Sequence, residues 1–314
     1  MQFVMAKVKT NTQVITEYQP DRLIKFRVNE AGSSGEVIFP GLWYTDFDRK
    51  IGGKWTLWSI TKTFEAVRYA LFFNGFIKYY TLRDENHSIF MVGSLYEMFP
   101  AIHKLNAKKH WGPLYPIRAS MCVSHVGDTS LTLDIVLFDC TTEEKLASCL
   151  TKFVYVDLLT RKPGQLPSWM YMMTKNVDES SPRTMSKPQQ LNIPSDCFQF
   201  KVFAVFSDTD SNEHVNHSTY VRWCSDAASV AATTGNYSNF KMDIGSYSLE
   251  ILEGYYIGEL VVGDEAVVNT WQDENDYRKL YFAITKDSRR IFNAQFVYLN
   301  DIPSANIPGF KSKV

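Results

Sequence analysis

The run Asp208-Thr-Asp210-Ser-Asn212-Glu-His214-Val-Asn216-His217 sets a carboxylate, an amide and an imidazole at alternate positions. A carboxylate accepts protons, an amide donates or accepts hydrogen bonds, and an imidazole exchanges protons near neutral pH. Gathered on one side of a segment, the three would form one shared polar site able to hold and exchange protons. In an extended stretch, residues two apart point the same way, so Asp210, Asn212 and His214 are expected to project together. A plainer reading stands beside this one. Asp210 and Asn212 would make Asx turns, Asn216 or Ser218 would cap a helix, and His214 would pack within the loop.

A helix is expected from Ser218 to about Thr234, with Tyr220, Trp223, Ala227, Val230 and Ala231 as an apolar stripe and Ala228 and Ala232 allowing close packing on a sheet. Its first turn carries unpaired N–H groups and partial positive charge, suited to an oxygen on which negative charge develops. Before it lies a β-rich run, Phe198 to Asp210.

The first half of the chain runs through the same signals. Val37 to Asp48 is a β-rich run that also ends in Asp-x-Asp, and Trp55 to about Phe76 has helical character, with Trp58, Phe64, Leu71, Phe72 and Phe73 as an aromatic stripe. Ser124 to Asp139 answers Leu260 to Trp271, with Gly127-Asp128 matching Gly263-Asp264 as a turn into a strand, and Phe153 to Val156 answers Phe296 to Leu299. Residues 96–116 read as an insertion whose Lys104, Lys108, Lys109 and His110 form either a phosphate contact or a solvated loop. Residues 172–197, rich in Ser, Pro, Lys and Gln, read as a linker. The expected division is therefore 1–171, a linker at 172–197, and 198–314, each half an α+β unit with one helix on an antiparallel sheet.

Composition narrows the function classes. Among 314 residues, 33 basic and 34 acidic side chains leave a formal charge of -1, which gives a nucleic-acid backbone little to attract it. Aromatic residues reach 14%, enough to line a cavity with rings. The five cysteines are odd in number, with no Cys-x-x-Cys pair, and are read as reduced thiols. No run of about 18 uncharged apolar residues occurs, and Lys7 and Lys9 interrupt any leader-like start, so a cytoplasmic location without a membrane span is expected.

The string Asp208, Asp210, Asn212, His214, Val215, Asn216, Tyr220 and Trp223 resembles the signature of the double-hotdog acyl-acyl-carrier-protein (acyl-ACP) thioesterases, D-x-D-x-N-x-H-V-N-N-x-x-Y-x-x-W. His217 replaces the second Asn. Tyr256-Ile-Gly-Glu259 resembles the family's Y-x-x-E strand segment, followed by Leu260 where the plant enzymes have Cys. The resemblance implies a tandem hotdog and hydrolysis of an acyl-CoA or acyl-ACP thioester without metal or other cofactor. It implies that Asp210 and Glu259 orient or deprotonate water, that Asn212 and His214 position the thioester and the catalytic carboxylate, and that Asn216, Tyr220 and Trp223 shape the substrate site. Matching Asp46 to Asp208 puts Asp48, Lys50, Gly52 and Lys54 opposite Asp210, Asn212, His214 and Asn216, and Val123 falls opposite Glu259, so one equipped site is expected and the first half supplies walls. His125 is read as a satisfied strand histidine. Pairing of the halves within one chain allows a monomer or a homodimer. The alternatives are a non-catalytic acyl-binding or scaffolding protein and a hotdog dehydratase or hydratase.

Overall fold

The computed structural model describes residues 24–42, 55–83, 86–107, 115–174, 183–186, 188 and 191–299. Asp46, Asp48, Lys50, Gly52, Lys54, Lys108, Lys109 and His110 lie outside the described residues. The first half runs β1 (Lys25–Val28), β2 (Ser34–Leu42), α1 (Leu57–Phe72), a 3-10 turn and the short α2 (Tyr79–Leu82), β3 (His87–Met98), α3 (Pro100–Ala107), β4 (Tyr115–Val126), β5 (Ser130–Asp139), β6 (Lys145–Asp157) and the two-residue β7 (Lys162–Pro163). The second half runs β8 (Phe198–Phe203), α4 (His217–Thr233), β9 (Leu249–Tyr256), β10 (Glu265–Gln272), β11 (Lys279–Lys286) and β12 (Arg289–Tyr298).

Both halves follow one connectivity: a strand, a long helix, a second strand, then three more. In the sheet they stand as β2-β4-β5-β6-β3 and β8-β10-β11-β12-β9, with β1 added at one edge. The two sets join into one sheet through antiparallel pairing of β3 with β9, from Gly93 opposite Tyr255 to Glu97 opposite Ile251. Gly254 sits in this seam because a Cβ there would meet the Phe292 ring at 2.9 Å. Pairing two edge strands satisfies backbone groups that would otherwise be open on each half.

Helix packing follows from side-chain periodicity. On α1, Phe64, Val67 and Leu71 are buried at spacings of three and four. Phe64 meets Tyr96 of β3 edge-on with centroids 5.5 Å apart, and Phe72 meets Phe153 of β6 at 6.3 Å. On α4, Tyr220, Trp223, Ala227 and Ala231 are buried as expected, and Tyr220 packs on Phe292 of β12 at 5.3 Å. Val230 departs from the expected stripe and is exposed, because Val221, Cys224 and Ala228 turn the buried face the other way. Phe73 is likewise exposed just past the end of α1. His125 is exposed on β4 rather than enclosed, next to a register shift after Val123. All five cysteines are free thiols.

Part of the segment read as a linker lies against this seam. Met185 reaches within contact of where a Gly93 side chain would stand, and Ser186 Oγ is 3.0 Å from Tyr255 Oη. Arg183 pairs with Glu97 and, at 3.2 Å, with Asp134. Lys104, on α3, faces Glu144 at 3.6 Å on the surface.

Candidate active site

The expectation that Asp210, Asn212 and His214 converge by strand alternation is corrected by the backbone. Thr209 and Val215 form an isolated antiparallel bridge, and between them the chain makes a tight loop closed by Asp210 N–H to His214 C=O at 3.0 Å and Glu213 N–H to Asp210 C=O at 3.0 Å. Glu213 adopts φ 64° to complete the turn. Asp210 Oδ1 accepts the Asn212 N–H at 2.8 Å, which is the Asx turn of the plainer reading. Turn formation and convergence prove compatible: Asp210, Asn212 and His214 all line one cavity of about 350 Å³. The loop is pinned by a bridge from His214 to Val261 and by Val215 N–H to Leu260 C=O at 2.8 Å.

Asp208, by contrast, faces inward. It is 4% exposed, ion-paired to Arg222, and its Oδ2 accepts the Val205 N–H at 3.1 Å. It supports the loop and does not line the cavity.

Glu259 lies beyond the end of β9 rather than within a strand. That release lets its carboxylate reach the cavity, where Oε2 stands 3.5 Å from His214 Nε2. The same oxygen accepts a 2.8 Å bond from Arg161, which comes from the turn between β6 and β7. This turn is built by Asp157 Oδ1 accepting the Leu159 and Thr160 N–H groups, and Arg161 itself sits at φ 57°. Both members of the Arg161–Glu259 pair are about half exposed, so its contribution to stability is about 0–1 kcal/mol.

Asn216 is occupied. Its Oδ1 caps α4 by accepting the Ser218 N–H at 2.9 Å and the Ser218 hydroxyl at 2.6 Å, and its Nδ2 donates to Glu65 of α1 at 3.0 Å. The helix amide expected to hold a carbonyl oxygen is thus taken, at Ser218, by the chain's own cap. Tyr220 lines the cavity, whereas Trp223 packs behind it with ring centroids 5.8 Å apart and does not.

The first half supplies the opposite wall: Glu65, Arg68, Tyr69 and Phe72 from α1, Tyr79, Ile89 to Val92 from β3, Phe153 and Val156 from β6, and Arg161. His217, first residue of α4, is buried between the halves. Its Nε2 lies 3.4 Å from Arg68 Nη2 and it bonds the Thr61 backbone, while Glu65 Oε1 at 3.8 Å is beyond hydrogen-bond reach of Nδ1. Burial, with the Arg68 charge added, pushes the His217 imidazole well below its ordinary value, so it is neutral here.

Glu65, Arg68 and Arg161 escaped the sequence reading. Arg161 carries no local signal, since only the fold brings it to Glu259. Arg68 did carry one: it occupies a core position, between Phe64 and Leu71 and beside Val67, in an otherwise apolar stripe.

Two solved structures share this architecture over most of their length. An acyl-ACP thioesterase from Bacteroides thetaiotaomicron superposes with a TM-score of 0.64 at 15% identity, covering 87% of this chain and 100% of its own. The 12:0-ACP thioesterase from Umbellularia californica gives 0.64 at 12% identity, covering 85% and 97%. At such identities the likeness is one of fold, the hotdog fold. Sequence narrows this further: residues 195–295 match the family model of the acyl-ACP thioesterase C-terminal domain, the stretch that holds the Asp210 loop, α4 and Glu259. The resemblance to the acyl-ACP thioesterases is therefore borne out, and these findings support a thioester hydrolase. No curated protein matches the sequence. Among the described residues, no helix is long and apolar enough to cross a membrane.

Proposed function

We propose that the chain is a tandem hotdog, divided at residues 172–197, that hydrolyses an acyl-ACP or acyl-CoA thioester in the cavity between its halves. The observation that carries this reading is the meeting of Asp210, Asn212, His214 and Glu259 on one wall of a cavity whose other wall is largely aromatic and aliphatic. A polar rim over an apolar hollow fits a thioester head on a carbon chain.

The roles follow from which atoms are already engaged. Glu259 Oε2 is shared by Arg161 and His214, which makes it an orienting group. Asp210 commits Oδ1 to the Asn212 N–H and leaves Oδ2 for a water molecule. Asp210 then takes a proton as the water oxygen attacks the thioester carbon. The C=O electrons move onto oxygen, where the Asn212 amide and the His214 ring donate hydrogen bonds. As the carbonyl re-forms, the C–S bond breaks, the sulfur leaves with the electron pair and takes up the proton, and the products are a carboxylic acid and a thiol. General-base assistance is worth ~10²–10⁴-fold and an oxyanion donor ~3 kcal/mol. Tyr220 and the first-half side chains form the acyl wall, and Asn216 clamps α4 to α1.

The test is thiol release from a panel of acyl-ACP and acyl-CoA substrates by the full chain and by Asp210→Asn. A loss of at least a hundredfold in kcat with KM little changed is expected. Equal rates for the two proteins would leave a non-catalytic acyl-binding protein as the better reading.

A further inference from the structure

The inner wall of the cavity holds a charge that hydrolysis as described does not use. Arg68 is 5% exposed, yet its Nη1 has no hydrogen-bond partner. Its Nη2 has only the His217 ring, at 3.4 Å. Glu65, one turn back on α1, is turned to Asn216 instead, and no carboxylate among the described residues pairs with Arg68. The Tyr256 hydroxyl, also on the cavity wall, is buried beside Ser94 Oγ and the Tyr96 hydroxyl of the adjoining strand β3, and none of the three makes a hydrogen bond of ordinary geometry. The Arg68 charge acts on both tyrosines, so these groups form one polar cluster.

The fold does not require a cation here. Thr56 and Asn216 occupy matching cap positions at the starts of α1 and α4. Residue 68 follows the first cap by twelve positions (68 − 56), and twelve after the second (216 + 12) stands Ala228, fully buried. The same place in the other half is thus filled by a methyl group. A buried guanidinium with an open donor is costly to keep, and such a group is satisfied when an acceptor arrives with the ligand.

We propose that Arg68, with the Tyr256 hydroxyl, recognises a second oxygen on the acyl group, so that the substrate is a thioester whose acyl chain carries an oxo or carboxylate oxygen beyond the thioester carbonyl. This rests on the cavity being the acyl site. Arg68 touches His217 at the start of α4, directly after the His214 loop, so the second oxygen belongs within about six carbons of the thioester and not at the tip of a long chain. A ketone oxygen would take a single N–H from Arg68, whereas a carboxylate would also balance its charge and accept two.

Hexanoyl-CoA, 3-oxohexanoyl-CoA and adipoyl-CoA share a six-carbon chain and separate these sources. The wild type should hydrolyse one oxygenated thioester about 10- to 100-fold better in kcat/KM than hexanoyl-CoA, the span of a charge-assisted hydrogen bond. A lead for adipoyl-CoA identifies the carboxylate, and a lead for 3-oxohexanoyl-CoA the ketone. Arg68→Met should bring the ratio to about one, and Arg68→Lys should keep part of a carboxylate preference. Should Arg68→Met not fold, Tyr256→Phe removes only the hydroxyl and should lower the same ratio. A wild type that favours hexanoyl-CoA, or a preference that survives in these variants, overturns the proposal. If no thioester releases thiol, the hydrolase reading fails by itself. Calorimetric titration of the three compounds then decides on Arg68: tighter binding of an oxygenated one supports it, and equal binding overturns it.

Discussion

Asn216 joins the two halves at the site, and its substitution separates capping from any contact with substrate. Asn216→Ala removes the acceptor for the Ser218 N–H at 2.9 Å and the donor to Glu65 at 3.0 Å. Loss of an N-cap costs about 1 kcal/mol, and loss of a hydrogen bond to a charged group about 1.5–3 kcal/mol. A total of about 2.5–4 kcal/mol is expected in urea unfolding followed by circular dichroism. Asn216→Asp keeps the cap acceptor but sets a second carboxylate against Glu65. At about 3–4 Å, with an effective dielectric constant near 20, that repulsion is about 4 kcal/mol before relaxation. The introduced carboxylate would hold its proton to a higher pH in the folded than in the unfolded chain. Its folded pKa being raised, the destabilisation should be absent below about pH 4 and grow as pH rises through that raised value. Glu65→Gln in the same chain should abolish the pH dependence. The activity of folded Asn216→Ala should fall less than about threefold, since the side chain is spent on the cap. A collapse of kcat/KM at unchanged stability, or an Asn216→Asp loss indifferent to pH, would refute this account of the junction.

Two further expectations concern neighbouring residues. Because burial and Arg68 hold His217 well below its ordinary value, the unfolded chain binds the extra proton first as pH falls. The stability that His217 contributes is complete above about pH 6.5 and is lost below it, by at most about 1.4 kcal/mol per pH unit; urea midpoints from pH 7 to 5 should decline less steeply in His217→Gln than in the wild type. Arg161→Met should change the unfolding free energy by less than about 1 kcal/mol, because the pair is half exposed, while lowering kcat about tenfold by releasing Glu259. A fall in stability larger than the fall in rate would assign Arg161 a merely structural part.

The elements of this chain were largely legible from side-chain pattern. The spacing of Tyr220, Trp223, Ala227 and Ala231 marked α4, and the alternation in Ser130–Asp139 marked β5, because periodicity is imposed locally by the backbone. Loops are less legible, because their bonds are set by single side chains and not by a period. Alternation alone predicts an extended Asp210 segment, whereas side-chain bonds from Asp210 and the left-handed Glu213 close it into a turn that still gathers the three groups. The resemblance of Tyr256-Ile-Gly-Glu259 to a Y-x-x-E strand segment implies a strand position for Glu259, but β9 stops at Tyr256, where its pairing with Phe292 ends.

Local sequence therefore determined which residue types stand two apart ahead of α4, which faces of the helices are apolar, and that two similar series of elements follow one another. Tertiary structure alone decided that β3 and β9 pair into a single sheet, that Arg161 reaches Glu259 across 98 positions of chain, and that Arg68 enters the cavity beside His217 from 149 positions away. The reason is physical. Turns, caps and stripes arise from bonds and packing between near neighbours, so a few residues specify them. A wall shared by two halves depends on how two sheets meet along one edge, and that geometry is set by many distant side chains at once.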